Sequence, residues 1–133
     1  MTDSDIAGVV RAAYGNFQTG NLDALLAQMD PAVDWELPKI ANIRISGPRH
    51  GRDEVKDFFV SLSQDQEVVS FEPREFVSQG DTVVAIGHYD WRIKSTNKRW
   101  ESDFAHVFTV RGGQIVRFRE FTDSLAAAES YKA

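Results

Sequence analysis

Apolar residues recur every three or four positions at the start of the chain: Ile6, Val9, Val10, Ala13, Tyr14 and Phe17. That spacing gathers them on one stripe of an α-helix, with Thr2 or Ser4 able to cap its start and Gly20-Asn21 to end it. Leu22, Leu25, Leu26 and Met29 share one face of a second, shorter helix that closes before Pro31. Val33, Trp35 and Leu37 then alternate with Asp34 and Glu36, a period of two that predicts a short strand ending at Pro38. Residues 39–51, which hold Gly47, Pro48 and Gly51, read as a loop. A third helix begins near Asp53 and buries Val55, Phe58, Phe59 and Leu62.

Beyond this helix the period changes from helical to alternating. Four strands are predicted over 67–78, 82–94, 98–110 and 114–122, with turn residues at Gly80-Asp81, Ser95-Thr96-Asn97 and Gly112-Gly113. Residues 124–133 predict a short helix or frayed end, with Asp123 as its cap. Helices followed by an antiparallel meander make an α+β fold, in which the helices cover one face of a bent sheet. The 133 residues suit one domain, 1–133, and a chain of this size buries a core with room for a small pocket.

The candidate chemistry depends on register. A three-residue loop at Arg111-Gly112-Gly113 pairs Val110 with Gln114 and sets His106 opposite Phe118. A two-residue turn would bury Arg117 and Arg119, which argues against it. A three-residue loop at Ser95-Thr96-Asn97 pairs Lys94 with Lys98. The even-numbered residues of the last three strands then share the helix-covered face in three rows: Ile86–His106–Phe118, His88–Phe104–Glu120 and Asp90–Ser102–Thr122. Strands lie about 4.8 Å apart and diagonal neighbours about 7–8 Å apart, so His88, Asp90, His106 and Glu120 can converge on one small ligand. Two histidines and two carboxylates are costly to bury without a purpose. They are the candidate acid–base residues, although a salt bridge between Glu120 and a histidine could also serve only to position the strand. Tyr14, Phe17, Trp35 and Phe59 are expected to line the pocket from the helical side, and Ser102, Phe104 and Phe118 from the sheet. His88, Asp90 and His106 also have the composition of a two-histidine, one-carboxylate metal site; this is the weaker reading, and no metal is expected.

On this register Val83, Ala85, Gly87, Tyr89, Trp91 and Ile93 face outward, joined by Ala105 and Val107. A strand apolar on both faces needs cover on both, which predicts a homodimer through the outer sheet face, rimmed by Arg117, Arg119, Asp103 and Glu101. The overall charge is −5, from 20 acidic and 15 basic residues, so neither a nucleic-acid nor an anionic-membrane partner is expected. The absence of cysteine excludes disulfides, thiolate catalysis and cysteine metal sites. The start, Met1 to Asp5, has neither a basic run nor an apolar stretch, and no membrane-length apolar run follows. A cytoplasmic location is therefore expected.

Several local features occur in a telling order: Tyr14-x-x-Phe17, Gly20-Asn21-Leu22-Asp23, Val33-Asp34-Trp35, Gly51-Arg52-Asp53-x-Val55-x-x-Phe58-Phe59, Gly80-Asp81-x-Val83 and His106-Val107-Phe108-x-Val110. The segment from Gly113 to Asp123 closes the set. Together they resemble the nuclear transport factor 2-like (NTF2-like) superfamily, and within it the SnoaL-like branch, over nearly the whole chain. The resemblance implies a cone-shaped α+β fold, with three N-terminal helices on a strongly curved, mainly antiparallel sheet, and frequent dimers. It also implies a pocket that uses carboxylates, histidines and tyrosines without a metal or organic cofactor. Members include polyketide cyclases, ketosteroid isomerases, limonene epoxide hydrolases and dehydratases. His106 and Glu120 resemble the histidine and acidic residue of SnoaL-type cyclases. The strands carrying His88, Asp90 and Glu120 look like those holding the Asp-Arg-Asp set of limonene epoxide hydrolase, with histidine in place of arginine and one glutamate for aspartate. The Tyr–Asp pair of ketosteroid isomerase has no match. The expected function is a small-molecule pocket acting on a hydrophobic carbonyl or polyketide-like compound by acid–base chemistry, the alternative being a non-catalytic ligand-binding module.

Overall fold

The structure, a computed structural model, describes residues 2–133. Helix α1 (Asp3–Gln18) opens on a capping box between Thr2 and Asp5, the reciprocal arrangement that satisfies two orphan N–H groups; the alternative cap, Ser4, lies outside the described side chains. Helix α2 (Leu22–Ala27) is capped by Asn21, and α3 (Gly51–Asp65) carries Asp53 and Glu54 in its first turn, where acids complement the helix dipole. The sheet consists of β1 (Met29–Glu36), β2 (Pro48–His50), β3 (Gln66–Gln79), β4 (Thr82–Ile93), β5 (Arg99–Arg111) and β6 (Gln114–Phe121), in the order β2-β1-β6-β5-β4-β3. Helix α4 (Ser124–Ser130) follows, with Asp123 as its cap. The architecture is the expected α+β one, with a single parallel pairing, β1 on β6.

Two boundaries differ from expectation. β1 begins at Met29 rather than Val33, because a register irregularity between Met29 and Asp34 lets Pro31 sit in the strand. The segment expected as a loop contains β2, paired with β1 through Asp34–His50 and Glu36–Pro48.

The register of β4 is the main correction. Ile93 pairs with Lys98 through backbone bonds, enclosing a four-residue loop, Lys94 to Asn97, in which Asn97 takes a φ of 60°. One extra loop residue shifts the pairing by one, so Ala85 faces His106, Gly87 faces Phe104 and Tyr89 faces Ser102. The odd-numbered residues of β4 therefore turn inward: Val83, Ala85, Tyr89, Trp91 and Ile93 are all buried. This removes the premise on which the outer face was expected to be covered. His88 and Asp90 go to the other side.

The β5–β6 turn also differs, but its error cancels. The turn is the two-residue Gly112-Gly113, both at positive φ, pairing Arg111 with Gln114. A bulge between Thr109 and Val110 on one side and at Val116 on the other then shifts the register again. Such a bulge reverses parity beyond it. Phe118 and Glu120 face inward after all, with Glu120 directly opposite His106.

β3 and β5 crowd closely on β4 at Gly87. A Cβ there would lie 2.2 Å from the carbonyl oxygen of Glu72 and 2.7 Å from the Phe104 ring. Only glycine permits that approach, and Phe104 fills the space above it. Helices α1 to α3 cover the concave face, where Val10, Leu25, Val55 and Phe58 meet Phe108, Ile115 and Phe118 in one core.

Candidate functional site

A cavity of about 110 Å³ lies between the concave sheet, α1, α3, α4 and the segment from Leu37 to Ser46. Its wall is mostly aromatic and aliphatic; its ionisable groups are His106, Glu120 and the phenols of Tyr14, Tyr89 and Tyr131. Helical spacing carries Tyr14 onto the face of α1 that looks into the sheet, and its hydroxyl lies 2.6 Å from His106 Nδ1. His106 Nε2 lies 2.9 Å from Glu120 Oε2. The two side chains are only 5% and 13% exposed, so the pair is shielded from screening by water. Phe104 stacks on the imidazole from behind, with ring centres 4.2 Å apart.

Burial, and secondly the charge of Glu120, push the Tyr14 phenol far above its ordinary pKa. Tyr14 therefore stays protonated, and because His106 Nδ1 is the partner its hydroxyl meets, the phenol hydrogen goes to that nitrogen. Nδ1 then accepts, which leaves the ring proton on Nε2, pointing at the Glu120 carboxylate. Tyr89 donates to Thr122 at 2.6 Å; its phenol is likewise pushed up, by burial first and by Glu120 second. The result is a chain of polar groups from α1 through β5 to β6, set in an apolar wall.

Tyr14, His106 and Glu120 are thus brought together, and Phe17, Trp35, Phe59 and Phe118 line the same cavity. Phe104 does not line it but supports His106. Ser102 is absent from the wall: its hydroxyl donates to the Asp103 carbonyl and accepts from the Asp123 N–H. His88 and Asp90 are on the opposite face. There His88 pairs with Asp103 at 2.9 Å, and Asp90 pairs with Arg99. No group of three metal-binding side chains forms among the described residues.

Sequence reasoning missed Tyr89, Thr122, Gln66 and Trp100 as wall residues. Tyr89 was hidden by the loop-length error. Gln66 is 6% exposed and accepts from the Tyr131 hydroxyl at 2.5 Å, which ties the end of α4 across the cavity; no local pattern signals such a tie. Two donors on the wall, Trp35 Nε1 and Trp100 Nε1, are buried without an acceptor. An unmade bond of this kind costs about 1–3 kcal/mol.

The sequence pattern of the SnoaL-like domain matches residues 10–118. No curated protein matches the chain. Among solved structures, an NTF2-like protein from Burkholderia xenovorans LB400 is 28% identical, with a TM-score of 0.91 and 99% of each chain covered. A second NTF2-like protein, from Burkholderia thailandensis E264, is also 28% identical, with a TM-score of 0.87 and 100% of each chain covered. TerC, co-crystallised with polyporic acid, is 25% identical, with a TM-score of 0.79 and coverage of 94% of this chain and 96% of TerC.

Proposed function

The chain belongs to the SnoaL-like domain family, and from that premise we propose that it is a cofactor-independent acid–base enzyme acting on a small hydrophobic carbonyl compound. The observation that carries the reading is the buried Tyr14–His106–Glu120 chain on an apolar cavity wall. Glu120 is the proton acceptor. It removes a proton from a carbon beside the ligand carbonyl, and the C–H electron pair moves into an enolate. Returning the proton to another carbon completes an isomerisation; attack of the enolate carbon on a second carbonyl, with Glu120 returning its proton to the alkoxide so formed, completes a cyclisation. His106 holds the Glu120 carboxylate through Nε2–H, and Tyr14 holds His106. Both are positioning residues in this reading. The co-crystallisation of TerC with polyporic acid supports a small organic ligand for this cavity.

The test is proton exchange in deuterated water, followed by NMR, over a panel of small cyclic and aryl ketones. Protein-dependent exchange beside the carbonyl is expected, and Glu120→Gln should slow it at least about 100-fold, the usual scale of a positioned general base. A panel that the wild type leaves unexchanged would sink the enzyme. A ketone that binds and stays unaltered would assign the cavity to a ligand-binding module instead.

A further inference from the structure

A proton removed by Glu120 leaves an enolate, whose negative charge falls on the former carbonyl oxygen. In a mostly apolar wall that oxygen needs a hydrogen-bond donor already in place. The acid–base trio has none to spare: the Tyr14 hydroxyl is spent on His106 Nδ1, and the His106 Nε2 proton on Glu120. Ser46 turns its hydrogen towards the Ile40 and Ile43 carbonyls, and Tyr131 donates to Gln66 Oε1. The Trp35 and Trp100 indole nitrogens are sealed within the wall. The Gln66 amide stands on β3, three strands from Glu120 at about 4.8 Å each.

Thr122 is different. Its Oγ1 accepts from the Tyr89 hydroxyl at 2.6 Å, which occupies a lone pair and leaves the threonine's own hydrogen free. Among the described residues that hydrogen meets no protein acceptor. Thr122 is half-buried and lines the cavity together with Tyr89 and Glu120. Two observations put its hydroxyl on the concave side and near the base. Tyr89, which it touches, is 2% exposed, with its ring centre 4.9 Å from that of Phe104, the ring that backs His106. Burial first, then the charge and hydrogen-bonding reach of Glu120, push the Tyr89 phenol up, so the phenol oxygen meets Thr122 on one side and neighbours the carboxylate on the other.

We infer that Thr122 is the second catalytic residue of this cavity: its hydroxyl donates to the carbonyl oxygen of the ligand and holds the enolate that Glu120 creates. The inference rests on reading Glu120 as the base and adds the group that receives the charge. Thr122 lies two positions beyond Glu120, roughly 6–7 Å along an extended chain. That separation leaves room between them for a carbonyl group and the C–H beside it. As Glu120 takes the proton, the C–H pair becomes the new C=C bond and the carbonyl π pair moves onto oxygen. Thr122 keeps its own proton, because an alcohol is too weak an acid to protonate an enolate oxygen; its hydrogen bond shortens instead. Tyr89 is a positioning residue. By donating to Oγ1 it fixes the threonine hydroxyl and polarises the hydrogen that the ligand meets.

The probe is acetophenone carrying carbon-13 at its carbonyl, read by infrared spectroscopy for the bound C=O band and by NMR for proton exchange in deuterated water. Bound to the wild type, the band should lie below its position in hexane, as a hydrogen bond requires. Thr122→Val should return the band towards the hexane value and slow exchange at saturating ketone about 100-fold, the scale of one lost oxyanion donor. Thr122→Ser, which keeps the hydroxyl, should preserve both. Tyr89→Phe should shift the band part of the way and slow exchange less. If Thr122→Val fails to fold, the wild-type band together with Tyr89→Phe decides. A wild-type band at the hexane position overturns the inference, as does a folded Thr122→Val that leaves the band or the exchange rate unchanged, or a ketone that does not bind. Glu120→Gln separates the two claims: it should abolish exchange while the lowered band remains. A wild type that lowers the band without exchanging a proton would keep Thr122 as the carbonyl donor and remove Glu120 as the base.

Discussion

Tyr14 shows how much a single side chain of this site can be asked to do. Its phenol joins α1 to the imidazole of β5, and replacing it with phenylalanine leaves Nδ1 of His106 buried without a donor. We expect Tyr14→Phe to cost about 1–3 kcal/mol in urea denaturation, with slower ketone exchange because His106 is no longer held. The three tyrosines share a second property. All are pushed above their ordinary pKa, each chiefly by burial, with Glu120 adding to Tyr14 and Tyr89 and Asp65 to Tyr131. An unfolded phenol loses its proton near pH ~10, so the folded state is the more protonated one there. Stability is thus full below that pH and falls as the pH rises beyond it. Absorbance at 295 nm should show no tyrosine ionising near pH 10 while circular dichroism reports a folded chain; all three should then appear together as it unfolds. A tyrosine titrating early with the fold intact would contradict the buried network. At this scale the sequence was readable where chemistry coincided with period. His106 and Glu120 stood out as polar groups at inward positions, and Tyr14 as a member of an apolar helical stripe, although nothing local showed that its hydroxyl meets a histidine 92 residues away.

For the elements, what could not be read was the length of two turns. Apart from β2 and the first residues of β1, the helices and strands follow from period alone, because each is held by its own pattern of burial. Register is set by loop geometry, and one residue exchanges the two faces of a strand. The Lys94–Asn97 loop has four residues and sends His88 and Asp90 outward. In β6 the shorter turn and the bulge at Val116 offset each other, so Glu120 was placed on the right face by an argument with the wrong turn. The crowding at Gly87 gives a sharp test. Gly87→Ala would drive a methyl group into the Glu72 carbonyl and the Phe104 ring, and Phe104 in turn supports His106. A loss of about 1–3 kcal/mol in unfolding free energy, read as a lower denaturation midpoint, is expected, together with weaker ketone exchange as the imidazole is displaced. An unchanged midpoint would mean that the strand relaxes more easily than this contact allows.

Over the whole molecule, the corrected register puts different rows on the outer face from those expected. The outward rows now run Val77–Val84–Val107–Arg119 and Glu75–Ile86–Ala105–Phe121. Val77, Ile86 and Phe121 are 59%, 38% and 47% exposed. Beyond the apolar rows, one end of the face carries Glu72, His88 and Asp103, then Asp90 and Glu101, with Arg74 on Glu72 and Arg99 on Asp90, and the other carries Arg117, which lies with Arg119 beside Glu36. A two-fold axis through Ile86 would lay the two charged ends over one another, while the valine and isoleucine rows close against each other. We propose that this face joins two copies of the chain, an isologous contact in which the same residues serve on both sides. Sedimentation should then give a dimer that Ile86→Lys, by placing like charges at the axis, converts to a monomer. High salt should weaken the charged ends but not abolish a contact centred on apolar rows. Because Ile86 points away from the cavity, the monomer should retain ketone exchange. A wild type that sediments as a monomer at micromolar concentration would leave the exposed valines and isoleucine as ordinary surface.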